Sequence, residues 1–192
     1  MNDPDLKPGD ALLIVDMQVD FLPGGLLPLE DGLEIMPLIN RWIAAAEKAG
    51  VPVFASRDYH PPAHCSFEER GGPWPVHCVQ GTAGAEIHPD VSLPADAIIV
   101  DKGNDPDKEA YSAFDGTALA ARMREHGVQR LWVCGVALDY CVRASVLDGL
   151  KEPGFEVHLI LDGTRAANVQ PGDGERAIAE MRTAGAQVLT AV

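Results

Sequence analysis

Residues 11–16 read Ala-Leu-Leu-Ile-Val-Asp, an unbroken apolar run closed by a carboxylate. A strand with one wet face alternates apolar and polar residues. A continuous run is expected where both faces are covered, as in a parallel sheet between helices. Runs of the same kind recur at Val53–Ala55, Ala97–Val100, Leu131–Val133, Val157–Leu161 and Gln187–Leu189, which gives six predicted strands.

Helical spacing lies between them. Ile35, Leu38, Ile39, Trp42, Ile43 and Ala46 form one apolar stripe, with Pro37 in the first turn and Gly50 at the stop. Asp115 caps a second predicted helix running to Gly127, with Leu119 and Met123 on its apolar face. Leu138–Leu150 forms a third, and Asp173–Ala184, ended by Gly185 and carrying Ile178 and Met181, a fourth. Strands alternating with helices predict one α/β domain over residues 1–192, a parallel sheet with helices on both faces. The stretch from Asp58 to Leu93 breaks the rhythm. It is rich in Pro, Gly, His and aromatic residues, and so long a loop usually carries function.

Chemistry gathers at the strand ends. Asp16 ends the first strand, Asp58 and His60 follow the second, Lys102 ends the third and Cys141 follows the fourth. In a parallel sheet all of these share one edge, where ligands bind at the point of reversing strand order. A strand order of 3-2-1-4-5-6 puts the four strands side by side.

Cys141 sits in Cys134-Gly-Val-Ala-Leu-Asp-Tyr-Cys141 at a strand-to-helix junction. Free N–H groups and the dipole at a helix start favour a thiolate and can hold an oxyanion. The bland alternative, a small buried hydrophobe, suits Cys134 inside its strand better. Asp16 alone reads equally well as a turn former, and Lys102 as a solvated charge. Together with a cysteine they make a sensible set, in which Asp takes the thiol proton and Lys keeps Asp ionised and aimed.

Asp58 and His60, two apart on an extended segment, point the same way and can share one ion, with His77 closing the set. Mixed carboxylate and imidazole ligands suit Fe, Mn, Zn or Co without selecting one. A structural zinc site made of His64, Cys65, His77 and Cys78 is the competing arrangement, disfavoured because adjacent side chains diverge. His88, His126 and His158 look incidental.

The formal charge of −14, from 29 acidic and 15 basic residues, argues against nucleic acid and anionic membranes as partners and suits neutral or cationic ligands. Met1–Asp10 is polar, with neither a basic nor an apolar leader region, and no run is long enough to span a bilayer. With four cysteines and no sign of export, reduced thiols and a cytoplasmic location are expected.

These motifs, in this order, resemble the nicotinamidase branch of the isochorismatase-like cysteine hydrolases. The similarity runs through Val15-Asp16-Met-Gln18-Val-Asp20-Phe21-Leu-Pro-Gly24-Gly25, Asp58-Tyr-His60-Pro and His64-Cys-Ser-Phe67. It continues in Gly72-Pro-Trp74-Pro-Val-His77-Cys-Val-Gln80-Gly81-Thr82, Lys102-Gly103, Tyr111-Ser-Ala-Phe114 and Gly135-Val-Ala-Leu-Asp139-Tyr-Cys141-Val. The Trp-Pro-x-His-Cys and Tyr-Ser-Ala-Phe stretches are the most specific.

The resemblance implies a three-layer α/β/α fold with a six-stranded parallel sheet. It implies hydrolysis of nicotinamide to nicotinic acid and ammonia, within pyridine nucleotide salvage, through a cysteine thioester. Asp16, Lys102 and Cys141 would be the triad, and the amides of Ala137 and Cys141 the oxyanion hole, after a cis Val136–Ala137 bond. Asp58, His60 and His77 would hold one divalent ion (Zn, Fe or Mn), with His64 a fourth ligand or outer partner. Phe21 and Trp74 would sandwich the pyridine ring. The resemblance leaves pyrazinamide as a second substrate, and homo-oligomerisation, open.

Two positions depart from the family pattern: Val19, where Asn is usual, and Leu138, where Thr is frequent. The competing enzymatic reading is a sister cysteine hydrolase acting on an N-carbamoyl or ureido substrate, which needs the triad but not the metal set. A non-catalytic metal- or ligand-binding module is the rival from another class. Isochorismate cleavage fits less well, because it gives the thiol no task.

Overall fold

A computed structural model describes residues 5–190; the first four residues of the amino-terminal stretch lie outside it. Six strands, β1 (Asp10–Val15), β2 (Val53–Asp58), β3 (Ile98–Lys102), β4 (Arg130–Val136), β5 (Glu156–Arg165) and β6 (Gln187–Leu189), form one sheet in the order β3-β2-β1-β4-β5-β6. Every pairing is parallel. The predicted order and direction are therefore those observed.

The unbroken apolar runs have the expected cause. Leu12 and Ile14 of β1 face one core, with α1 (Met36–Ala49) packed on it through Ile39, Ile43 and Ala46. Ala11, Leu13 and Val15 face a second core. That one is covered by α2 (Leu119–Glu125), α3 (Arg143–Gly149) and α4 (Asp173–Ala184) through Leu119, Met123, Val146, Ala177 and Met181. A fully buried Leu or Ile is worth about 1.5–3 kcal/mol, so burial on both faces makes β1 the anchor of the three layers. Among the described residues, no helix is long and apolar enough to cross a membrane.

Several boundaries differ from the sequence reading. β2 and β3 extend past their apolar runs because the added residues pair across the strands. Arg57 lies opposite Asp101 and Asp58 opposite Lys102, each pair joined by a 2.5 Å ion contact. Asp58 therefore closes β2 rather than following it. The second helix starts at Leu119, not Asp115, because Gly116 adopts φ 72°, a left-handed conformation that no helix interior accommodates. Finally, Leu138–Val142 forms one wide turn before α3, its Val142 N–H reaching back to Ala137 O at 3.1 Å.

Candidate active site

The strand order reverses between β1 and β4, and the candidate residues gather there. A cavity of about 360 Å³ is lined by Cys141, Ala137, Asp58, His60, His77, Phe21 and Trp74, and also by Tyr111, Tyr140 and Glu109. Its far wall is Ala166, Ala167 and Val169, and its rim includes Glu30 and Asp31.

Asp16 leaves β1 with φ 49°, a left-handed turn that Asp tolerates better than most residues and that aims its carboxylate across the strand ends. Ser56 Oγ donates to its Oδ1 at 2.7 Å, and Lys102 Nζ lies 2.9 Å from its Oδ2. Lys102 is 1% exposed. It also donates to Asp58 Oδ1 at 2.5 Å and lies 3.4 Å from Cys141 Sγ, so one ammonium joins both carboxylates to the thiol. Carboxylate oxygens of Asp16 and Asp58 and the Cys141 sulfur fall within 4.8 Å of one another.

Burial in this cluster changes the expected ionisation. Burial pushes the Cys141 thiol well up, and Lys102 only partly opposes it, so the proton stays on sulfur rather than being lost to the turn dipole. Burial, reinforced by Asp58, likewise raises Asp16 despite Lys102. Burial works to raise Asp58 too, but Lys102 and His60 outweigh it and hold that carboxyl below its usual range. Lys102, which burial alone would lower, is held well above the usual lysine value by Asp16 and Asp58. The cluster thus has one firmly ionised carboxylate, one fixed ammonium, and a carboxylate and thiol that burial raises together within reach of each other.

The long loop after β2 folds back to bring His77 to His60. His60 N–H donates to Cys78 O at 3.0 Å and Gln80 N–H to His60 O at 2.9 Å. Ligand atoms of Asp58, His60 and His77 lie within 4.8 Å of one another. The outer nitrogens of both rings are anchored on carbonyls: His60 Nδ1 on Gly103 O at 3.1 Å and His77 Nδ1 on Pro75 O at 2.7 Å. A carbonyl accepts only an N–H, so in the neutral form of each ring Nε2 carries the lone pair, the arrangement usual for imidazoles that bind metal. Burial lowers the His77 pKa and favours its neutral form. At Gly103 a Cβ would stand 2.5 Å from His60 Cε1, so this ring can seat against the backbone only at glycine. This donor set fits a divalent ion with open positions for waters or substrate.

His64 stacks on His60 at 4.1 Å between ring centroids. Its Nδ1 faces Ser66 Oγ at 2.7 Å and its Nε2 faces Lys108 O at 3.1 Å, so both nitrogens have protein partners. It also brings a ligand atom within 4.8 Å of those of His60 and Glu109. The alternative structural zinc set does not converge: Cys78 is fully buried with Sγ toward Gly84 O at 3.9 Å, while His77 faces His60.

Phe21 and Trp74 both line the cavity. Trp74 is braced by Tyr111, which accepts its indole N–H at 3.0 Å, and by Tyr140 at 5.0 Å between centroids. The Val136–Ala137 peptide is cis, as the resemblance implied, and Ala137 and Cys141 stand together on the wall. Val19 is half-buried and Leu138 buried.

Sequence reading missed Asp139, whose two oxygens accept Ala167 N–H and Asn168 N–H, each at 2.8 Å. This carboxylate ties the Cys141 turn to the far wall across 28 and 29 residues of sequence, a separation no local signal reports. Glu109 likewise carries no signal.

An open parallel sheet with a buried cysteine, carboxylate and lysine at its switch point defines a hydrolase-type α/β scaffold. Residues 10–192 match the isochorismatase domain, and the chain belongs to that family. Its relatives within the family include several nicotinamidases. The chain is 39% identical to the nicotinamidase of Escherichia coli (strain K12) over 204 residues, 95% of both chains. Its fold matches a Pyrococcus horikoshii pyrazinamidase solved with zinc at a TM-score of 0.90 and 50% identity, covering 96% of this chain and 100% of that one. It also matches the PnC1 protein of L. infantum, solved with nicotinate, at a TM-score of 0.87 and 39% identity, covering 95% and 93%.

Proposed function

We propose that the protein hydrolyses nicotinamide to nicotinic acid and ammonia, with Cys141 as nucleophile, Asp16 as acid and base, and Lys102 as the fixed cation between them. The supporting observation is that one cavity is lined by the Cys141 thiol, three metal-type ligands and two aromatic walls, with the raised Asp16 carboxylate buried within reach of the thiol.

With the amide carbon over Cys141, Asp16 accepts the thiol proton as sulfur bonds to the carbonyl carbon. The carbonyl electron pair moves to oxygen, where the Ala137 and Cys141 N–H groups hold it, each donor worth about 3 kcal/mol of barrier. Asp16 then passes its proton to the amide nitrogen, the C–N bond breaks, and ammonia leaves a thioester. Asp16 next takes a proton from water, whose oxygen attacks the thioester. The C–S bond breaks, nicotinic acid departs, and Asp16 returns the proton to sulfur. Lys102 stays protonated throughout, because two carboxylates hold its charge. Phe21 and Trp74, the latter braced by Tyr111, keep the ring planar against the wall.

Asp58, His60 and His77 would hold one divalent ion (Zn, Fe or Mn). When bound, such an ion offers a Lewis-acid position for the pyridine nitrogen, directly or through a water. His64 backs His60 rather than completing the ligand set, since its own nitrogens are occupied.

We place the protein in the cytoplasm, acting as a single domain in salvage of the nicotinamide ring for pyridine nucleotides such as NAD. Pyrazinamide, with the same carboxamide and a ring nitrogen in the same place, is a second substrate on this reading.

The test is a substrate panel followed by product analysis. Nicotinamide and pyrazinamide should yield their acids and ammonia, while ureido and N-carbamoyl compounds should not. Turnover confined to the ureido group would replace this reading with the sister amidohydrolase.

A further inference from the structure

β1 stops at Val15 while β2 runs on to Asp58, so the main chain of Asp58 has no strand beside it on the β1 side. Gln18 fills that place. Its Oε1 accepts the Asp58 N–H at 2.7 Å, and its Nε2 donates to Asp58 O at 2.7 Å and to Ala85 O at 2.8 Å. The side chain is fully buried, and its amide uses both donor hydrogens and its acceptor on main-chain groups. A side chain thus supplies the next rung of the ladder, letting β1 turn away at Asp16 while Asp58 stays in strand geometry.

Two residues further on, Asp20 does the corresponding work on the other side of the cluster. Its Oδ2 accepts Cys78 N–H at 2.7 Å and its Oδ1 accepts Leu26 N–H at 3.2 Å, with 3% of the residue exposed. Cys78 has φ 47°, a left-handed conformation rare for side chains other than Gly, Asn and Asp. Asp20 therefore holds in place the residue that directly follows His77.

We infer that Gln18 and Asp20 are positioning residues that fix the spacing between Asp58 and His77, and through it the affinity for a divalent ion. The inference rests on the metal-site reading given above. The segment after β1 then does three jobs at alternate positions: Asp16 moves protons, Gln18 fixes one metal-type ligand, and Asp20 fixes another.

The test is the dissociation constant of metal-stripped full-length protein for Zn²⁺ and Mn²⁺, by competition with a chromophoric chelator, for the parent, Gln18→Met and Asp20→Asn. Far-UV circular dichroism of each stripped protein reports folding. Both variants should bind the ions roughly 10–100-fold more weakly than the parent, the usual cost of losing an outer partner. A purely structural role would lower the melting temperature and leave the dissociation constant unchanged. Folded variants with parental affinity overturn the inference while leaving the metal reading intact. If Gln18→Met does not fold, Asp20→Asn decides alone, parental affinity overturning and a tenfold loss supporting. A parent that binds neither ion overturns the metal reading and this inference with it.

Discussion

A buried thiol that keeps its proton can attack only if a base takes that proton during the attack, and of the two carboxylates within reach Asp16 is the one whose proton affinity is raised. Its pKa is raised, chiefly by burial, so it protonates at a higher pH than an ordinary aspartate. The sign follows: kcat/KM for nicotinamide should fall as pH drops through that raised value, giving an acid limb above the usual carboxylate range. A pH–rate profile with its acid limb at or below the ordinary aspartate value would contradict this role. Cys141 is also raised, so loss of the thiol proton to solvent should produce no limb near neutrality. Lys102→Met leaves Asp16 and Asp58 buried together with no cation. Breaking a buried pair costs about 3–5 kcal/mol, so urea or thermal melts should show a loss of that order alongside loss of turnover. A variant as stable as the parent would mean that the ion contacts at 2.9 and 2.5 Å contribute little.

Among the elements, those built on apolar pattern were legible and those built on polar pairing were not. β1 and α1 could be read because every inward position is apolar, from Ala11 to Val15 and from Ile39 to Ala46. The ends of β2 and β3 could not, because Arg57–Asp101 and Asp58–Lys102 hold them by charge across strands, a relation invisible until the strands are neighbours. The residues proposed as triad and metal ligands stand out in the sequence by their place at strand ends and by motif resemblance. Asp139 stands in the same motif as Cys141, yet its task depends on a loop arriving from beyond β5. Asp139→Ala should free that wall. We expect KM for nicotinamide to rise roughly tenfold, about 1.4 kcal/mol, with kcat changing much less. Steady-state kinetics showing a fall in kcat alone would instead tie Asp139 to the geometry of the Cys141 turn.

For the molecule as a whole, three of the sheet's six strands end in the polar cluster: Asp16 after β1, Asp58 on β2 and Lys102 on β3. The fold and the site therefore share their energetics. An ion bound to the native state at about 100 times its dissociation constant adds about 2.7 kcal/mol of stability. For a chain of this size that corresponds to roughly 5–10 °C in melting temperature. Added Zn²⁺ or Mn²⁺ should raise the melting temperature of the stripped parent by that amount and leave His77→Ala unmoved. Equal shifts in both proteins would place the ion elsewhere.

The most direct measurement is ammonia release from nicotinamide by purified, thiol-reduced protein, before chelation, after chelation and after metal is returned, with Cys141→Ala alongside. Release should disappear on chelation, return with Zn, Fe or Mn, and be absent from Cys141→Ala in every condition. Continued release from Cys141→Ala would contradict the cysteine route. Release from the parent that is indifferent to chelation would contradict the metal's part in it.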